Sequence, residues 1–256
     1  MATTNNSFHG PVGNFSFYKL GEKNMVRTKG GASKKTIQNS PSCVRIVQSN
    51  VEFGGASSIS TLLRRAIGKQ LKYFSDTNVC SNLTGIFRKI IGLGSGLPGQ
   101  RILDLSTHGA LLEGFEFNAH RILRDCIHTD FILKVSEQRD GALLHVKFCP
   151  ARDVLAPAGA TSFQILHTVL CVPRYGLHPV TKKYVAVDDA ELIATQVSSA
   201  MLFTDLSMPV NMKLPVKLPS AAAEGMSILC VVGIAFYAGK ELMKGECGMG
   251  VVKIFI

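Results

Sequence analysis

The sequence contains no tryptophan and only five tyrosines, although phenylalanine occurs fourteen times. Rings with a polar handle are scarce, a balance that suits core packing better than a base-stacking surface. No C-x-x-C pair is present: the seven cysteines stand singly at 43, 80, 126, 149, 171, 230 and 247. An odd, scattered set with apolar neighbours, as in Leu170-Cys171-Val172, reads as small hydrophobes that stay reduced. A long apolar run is missing too. The longest, Met226 to Gly239, has 14 residues and two glycines. Crossing a bilayer as a helix takes about 20 apolar residues, so this run reads as a buried strand. The opening ten residues carry neither the basic nor the apolar part of a secretory signal. The expectation is a cytoplasmic chain without membrane contact.

Acidic residues are what the front of the chain lacks most. Residues 1–100 hold 13 Lys and Arg against 3 Asp and Glu, whereas residues 101–256 hold 15 of each. The whole net charge of +10 therefore lies in the first hundred residues. So lopsided a field implies a front part that meets something acidic and a neutral folded body behind it.

Residues 1–12 are polar and read as a loose arm. Phe15, Phe17 and Lys19 then alternate on one face, Gly21-Glu-Lys-Asn24 has turn chemistry, and Met25 to Thr28 resumes an extended pattern. That is a β-hairpin. Lys29 to Thr36 reads as a basic, flexible linker. From Ser40 the period becomes helical. Ser40-Pro41 caps a helix carrying Val44, Val47 and Val51, and Gly54-Gly55 ends it. A second helix carries Ile59, Leu63, Ile67 and Leu71, and a third, Asn78 to Leu93, carries Val79, Leu83, Phe87 and Ile90. Gly92 to Gly99 breaks the pattern and marks the expected boundary between residues 1–99 and 100–256.

Beyond Arg101 strands dominate. Arg101–Leu105, Gly114–Asn118, Phe131–Ser136, Ala142–Phe148, Ser162–Val172, Lys183–Val187, Ala190–Gln196, Val210–Leu218, Ser227–Tyr237 and Met249–Ile256 are separated by turn residues. Asp188 alternatively opens a short helix. The fold class expected is α+β: a basic N-terminal β-hairpin and helical region followed by an antiparallel β-sandwich.

Chemistry-bearing motifs are thin. Gly94-Ser-Gly-Leu-Pro-Gly99 matches G-x-G-x-x-G, but a helix precedes it and a strand follows, the reverse of a dinucleotide site. It reads as a linker, and no cofactor is expected. Cys126, His128 and Asp130 would share one face if extended, with His120 nearby, yet no second ligand pair completes a zinc set. His145 and His167 fall within apolar strands and read as packed residues. Carboxylate pairs Glu113/Glu116 and Asp188/Asp189 lack any sequence sign of a pocket. No nucleophile motif appears in its proper context, so no catalytic or metal-binding residue is assigned and no enzyme is expected.

The basic set is the candidate site. Lys19, Lys23, Arg27, Lys29, Lys34 and Lys35 fall within 17 residues, and Arg64, Arg65, Lys69 and Lys72 follow on the helices. These residues suit an acidic protein surface or, alternatively, sequence-indifferent contact with nucleic-acid phosphates. Gly10-Pro-Val-Gly-Asn14, Tyr18-Lys19, Gly21, Lys23 and Val26-Arg27 resemble a family of uncharacterised bacterial proteins common in Bacteroidota, most closely over residues 10–70. The resemblance brings no catalytic residues. Some members stand beside phage-like or mobile-element genes, which implies an assembly role. The expected function is a non-catalytic structural or interaction protein whose basic arm docks on an acidic partner. A homo-oligomer or larger assembly is also expected, because strands apolar on both faces, such as Met226–Tyr237, must be covered either by the partner sheet or by another subunit.

Overall fold

The computed structural model describes residues 9–20, 23–28, 30–187 and 191–256. Two compact units divide the chain, residues 1–47 and 48–256. The glycine-rich stretch expected as a boundary lies inside the second.

The first unit holds an antiparallel meander, β1 (Gly10–Val12), β2 (Phe15–Leu20) and β3 (Lys23–Thr28). The expected hairpin is present, and residues 10–12, read as loose arm, add a third strand to it. Gly13 turns β1 into β2 with φ +55, where a side chain would be strained. The stretch read as linker is also partly ordered. Lys34–Asn39 forms a short helix, α1, because the Ser33 hydroxyl accepts the Thr36 N–H at 3.1 Å and caps its first turn.

Val44–Ile67 is one continuous helix, α2, and passes straight through Gly54-Gly55, where sequence reasoning ended it. Gly55 is there for packing. A Cβ at this position would stand 2.5 Å from the Tyr184 ring, so only glycine lets that ring lie on the helix. The helix accepts glycine's cost of about 1 kcal/mol for this contact. Leu71 belongs to a separate 3-10 turn, Lys69–Tyr73. The third helix, α3 (Val79–Leu93), buries Val79, Leu83, Phe87 and Ile90 as expected. Arg101–Leu105, read as strand, gives only a bridge from Leu103 to Tyr175 and then a one-turn helix, α4 (Leu105–His108). Asp104 dictates this by capping the turn, its carboxylate accepting from the Ser106 N–H at 2.8 Å.

The remaining elements are α5 (Leu123–Cys126), β4 (Phe131–Val135), β5 (Gly141–Phe148), β6 (Ser162–Val172), β7 (Tyr175–Leu177), β8 (Tyr184–Ala186) and β9 (Ile193–Ser198). They are followed by β10 (Leu202–Phe203), β11 (Val210–Lys217), β12 (Ser227–Ala238), β13 (Glu241–Leu242) and β14 (Gly248–Phe255). Six strands form one antiparallel sheet, with β12 between β6 and β14, and β11-β5-β4 form a second. Leu144, Val146, Phe148 and Leu214 of the small sheet share a core with Phe163, Ile165, Val232, Ile234 and Phe236 of the large one. The opposite face of the large sheet, carrying Leu166, Leu170, Leu229, Val231 and Ala235, packs on Ile59, Leu63, Leu83, Phe87 and Ile90 of the helices. The α+β class is therefore met, in three layers. It also explains β12: alternate residues face helices and sheet, so this strand is covered within its own chain. Its apolarity on both faces requires no second subunit.

Candidate functional site

Strand register sorts the residues of the first unit onto two faces. Phe15 pairs with Val12 and Thr28, Phe17 with Val26 and Lys19 with Asn24. Residues directly opposite share a face, so one side carries Val12, Phe15, Phe17 and Val26 with Lys19 at its end. Ser16 pairs with Arg27 and Tyr18 with Met25, which places Lys23, Met25 and Arg27 with Tyr18 on the other side. The Arg27 guanidinium lies 5.6 Å from the centre of the Tyr18 ring, a cation–π contact. Each face exposes apolar side chains: Val12 and Val26 are both 56% exposed and Phe15 48% on one, and Tyr18 and Met25 38% on the other.

Lys34 and Lys35 stand exposed in the first turn of α1, and Lys29 lies outside the described residues. The other four expected residues sit on the second unit. Arg65 and Lys69 are exposed, and the Lys72 ammonium lies 4.9 Å from the Tyr73 ring centre. Arg64 departs from the expectation of a free cation. Its guanidinium turns inward to the Thr61 hydroxyl and the Cys80 sulfur, each at 3.3 Å, and its Nε is buried without a partner. Among the described residues none of these cations pairs with a carboxylate; the ion pairs belong to Arg88, Arg101, Arg121, Arg152 and Lys253.

The second unit carries a cavity of about 980 Å³ that sequence reasoning did not foresee. One wall comes from residues 113–116, which run beside β14 through the Glu116–Gly250 bridge. Phe115 and Phe117 turn into the core, packed edge to face at 5.1 Å, and the alternation leaves Glu116 between them aimed at the cavity. Its Oε2 accepts the Leu123 N–H at 3.0 Å. Burial raises the Glu116 pKa, and this hydrogen bond only partly opposes the effect. Gly250 makes room, because a Cβ there would come within 2.9 Å of the carboxylate. Arg124, His128, Thr129 and Asp130 complete the polar side, with the Phe131 ring also in the lining. Glu113, also at the rim, is already engaged by the Lys253 ammonium at 3.2 Å and the Ile254 N–H at 2.9 Å.

No family model, curated protein or solved structure matches the chain. What the surfaces do must follow from their own residues.

The weaker motifs resolve into architecture. In the glycine-rich stretch, the Gly99 N–H that a phosphate would need is donated to Glu52 Oε1 at 2.7 Å. Glu52 is 2% exposed and is held by Arg88 at 2.9 Å and Arg101 at 3.8 Å, which fastens the loop to α2. Gly94 abuts the Ile102 carbonyl, and Gly96 and Gly99 adopt φ of +114 and +86, so the glycines serve the turn. Cys126 and His128 do not line one strand face. Cys126 closes α5 and packs against Gly248, its thiol pushed up to about 12 by burial, while His128 and Asp130 line the cavity. Asp188 and Asp189 lie outside the described residues. His145 meets Asn211 Oδ1 at 2.6 Å across the small sheet. His167 is wholly buried between the sheets, Nδ1 against the Leu214 carbonyl at 2.9 Å and Nε2 unpartnered. Among the described residues no helix is long and apolar enough to cross a membrane.

Proposed function

We propose that the chain is a non-catalytic interaction protein whose N-terminal sheet docks on an acidic protein surface, within an assembly such as a phage-like or mobile-element-related one. The observation that carries this reading is a three-stranded sheet that exposes Val12, Phe15, Tyr18, Met25 and Val26 and bears three cations, Lys19, Lys23 and Arg27, that pair with no carboxylate among the described residues. A sheet this small needs a covered apolar face to be stable by itself. Val12, Phe15 and Val26 find no cover within their own sheet, and a partner that supplies it desolvates Lys19 on that face, while Lys23 and Arg27 lie on the other. Those cations select for carboxylates.

A second reading has its own support. Tyr18, Arg27 and Lys23 on one face combine a ring with phosphate-seeking cations, the elements of a single-strand platform. Immobilised polyglutamate and single-stranded DNA, probed across a salt series, separate the two. Retention on polyglutamate, reduced about tenfold or more by Lys19→Glu/Lys23→Glu/Arg27→Glu, supports the protein partner. Binding to DNA alone, with a log–log salt slope of several units, overturns it in favour of nucleic acid. Binding to neither removes both.

A further inference from the structure

We propose that the acidic acceptor of the basic arm is the Glu116 cavity on the second unit of another copy of this chain. This rests on the reading of the arm as a device for acidic protein surfaces and adds the identity of the partner.

Charge complementarity carries the argument. The first unit, residues 1–47, holds 7 Lys and Arg against 1 Glu, and Lys19, Lys23 and Arg27 stand without carboxylate partners among the described residues. The 980 Å³ cavity on the second unit presents Glu113, Glu116 and Asp130 against one guanidinium, Arg124, and one imidazole, His128. Lys253 offsets Glu113, and the charges of Asp125 and Arg124 act on Glu116 in opposite senses, which leaves Glu116 and Asp130 against Arg124. The balance that faces an incoming group remains negative.

Glu116 makes the cavity more than an acidic surface. Its carboxyl is half-buried, and the Leu123 N–H is its sole protein donor among the described residues. A guanidinium or ammonium placed against the remaining oxygen would reverse the penalty on its ionisation. Phe131 on the same wall adds a ring for a cation to rest on.

Size decides what enters. Strands lie about 4.8 Å apart, so a three-stranded sheet is too bulky for 980 Å³. Side chains from one of its faces are not. Lys23 and Arg27 project from the same face of β3, four residues apart, and fit that role, with Tyr18 and Met25 of that face over the rim; the apolar face, on the other side of the sheet, points away from the cavity. Each copy then donates one arm and receives one. Such a contact is head-to-tail, and repetition closes a ring or grows a filament.

The test uses the full chain and its mass in solution by sedimentation and light scattering at low and high salt. The wild type should form species larger than a monomer that dissociate as salt rises. Lys23→Glu/Arg27→Glu reverses the arm, and Glu116→Lys/Asp130→Lys reverses the cavity. Each alone should weaken association about tenfold or more. Mixed, the two variants offer complementary pairs in both directions, so assembly should return. Circular dichroism checks their folds, and exposed Asp130→Lys alone serves as the cavity variant should the double one unfold. A wild type that stays monomeric yet binds polyglutamate overturns this inference and leaves the proposed function standing. Failure of both measurements overturns both. Assembly that the mixture does not restore runs through another surface and also overturns the inference.

Discussion

The chain contains two three-stranded antiparallel sheets with opposite fates. β1-β2-β3 leaves Val12, Phe15 and Val26 about half exposed, whereas β11-β5-β4 buries Leu144, Val146 and Phe148 to 3% or less. Strand alternation is similar in both. What differs is the neighbour: the second sheet faces the large sheet across a shared core, and the first faces no sheet of its own unit. A period-2 pattern therefore reports that one side prefers cover, without saying what provides it. In the body the cover is internal and its loss acts on stability. In the arm, on the reading proposed above, the cover is external and its loss acts on association.

The sharpest way to break this contrast is a cavity in the shared core. Phe236 has no exposed surface and packs near Phe163, with ring centres 6.4 Å apart. Phe236→Ala should lower the unfolding free energy by about 3–5 kcal/mol, because the surrounding strands relax only partly into the space. Urea denaturation at neutral pH measures this. A loss below 1 kcal/mol would mean that the sandwich layer is not the core of the body.

Much of that body could be read in advance. Ser162–Val172 and Ser227–Ala238 were legible because long apolar runs bounded by turn residues and too short to cross a bilayer have few alternatives. α3 was legible from its 3.6-residue stripe. α2 was misread at Gly54-Gly55 because the reason for those glycines, the Tyr184 ring, lies 129 positions away from Gly55 in sequence. Arg101–Leu105 was misread because local capping by Asp104 outweighed its apolar pattern. Sequence also showed the candidate cations but not their surroundings, so Arg64 was grouped with free lysines although it turns inward. The Glu116 cavity was invisible for a related reason. It joins residues 113–116, α5 and β14, and no local spacing records that meeting. The one sign was Phe115-Glu116-Phe117, an acid alternating between two core rings.

A subtler separation of core from rim comes from pH. Burial lowers the His167 pKa below the usual 6.5. Below 6.5 the unfolded chain takes up a proton that the folded chain resists, so stability is full above that value and falls as pH drops towards the folded pKa. Glu116 has the opposite sign: its pKa is raised above 4.5, so the folded chain holds its proton longer. Its contribution is present below 4.5 and is lost as pH rises through the folded value. Urea midpoints over pH 4–8 for wild type, His167→Leu and Glu116→Gln resolve the two. The wild type should lose ground to His167→Leu as pH falls below 6.5. Glu116→Gln should gain on the wild type above 4.5 and match it in acid. A Glu116→Gln difference that does not change with pH would show that its carboxyl feels no burial.

The smallest expected change tests the arm most directly. Phe15 and Val26 lie on the apolar face of β1-β2-β3, at 48% and 56% exposure. Truncating them removes little that is buried, so Phe15→Ala and Val26→Ala should each shift the unfolding free energy of the chain by about 0.5 kcal/mol or less. The same truncations should weaken retention on polyglutamate, because Lys19 shares their face and a rim contact that excludes water strengthens the charge beside it. Near-silence in urea combined with a loss in binding is the signature of a face whose cover comes from outside the unit. A stability loss above 2 kcal/mol from either change would place that cover within the chain, and the two small sheets would then differ in degree rather than in kind.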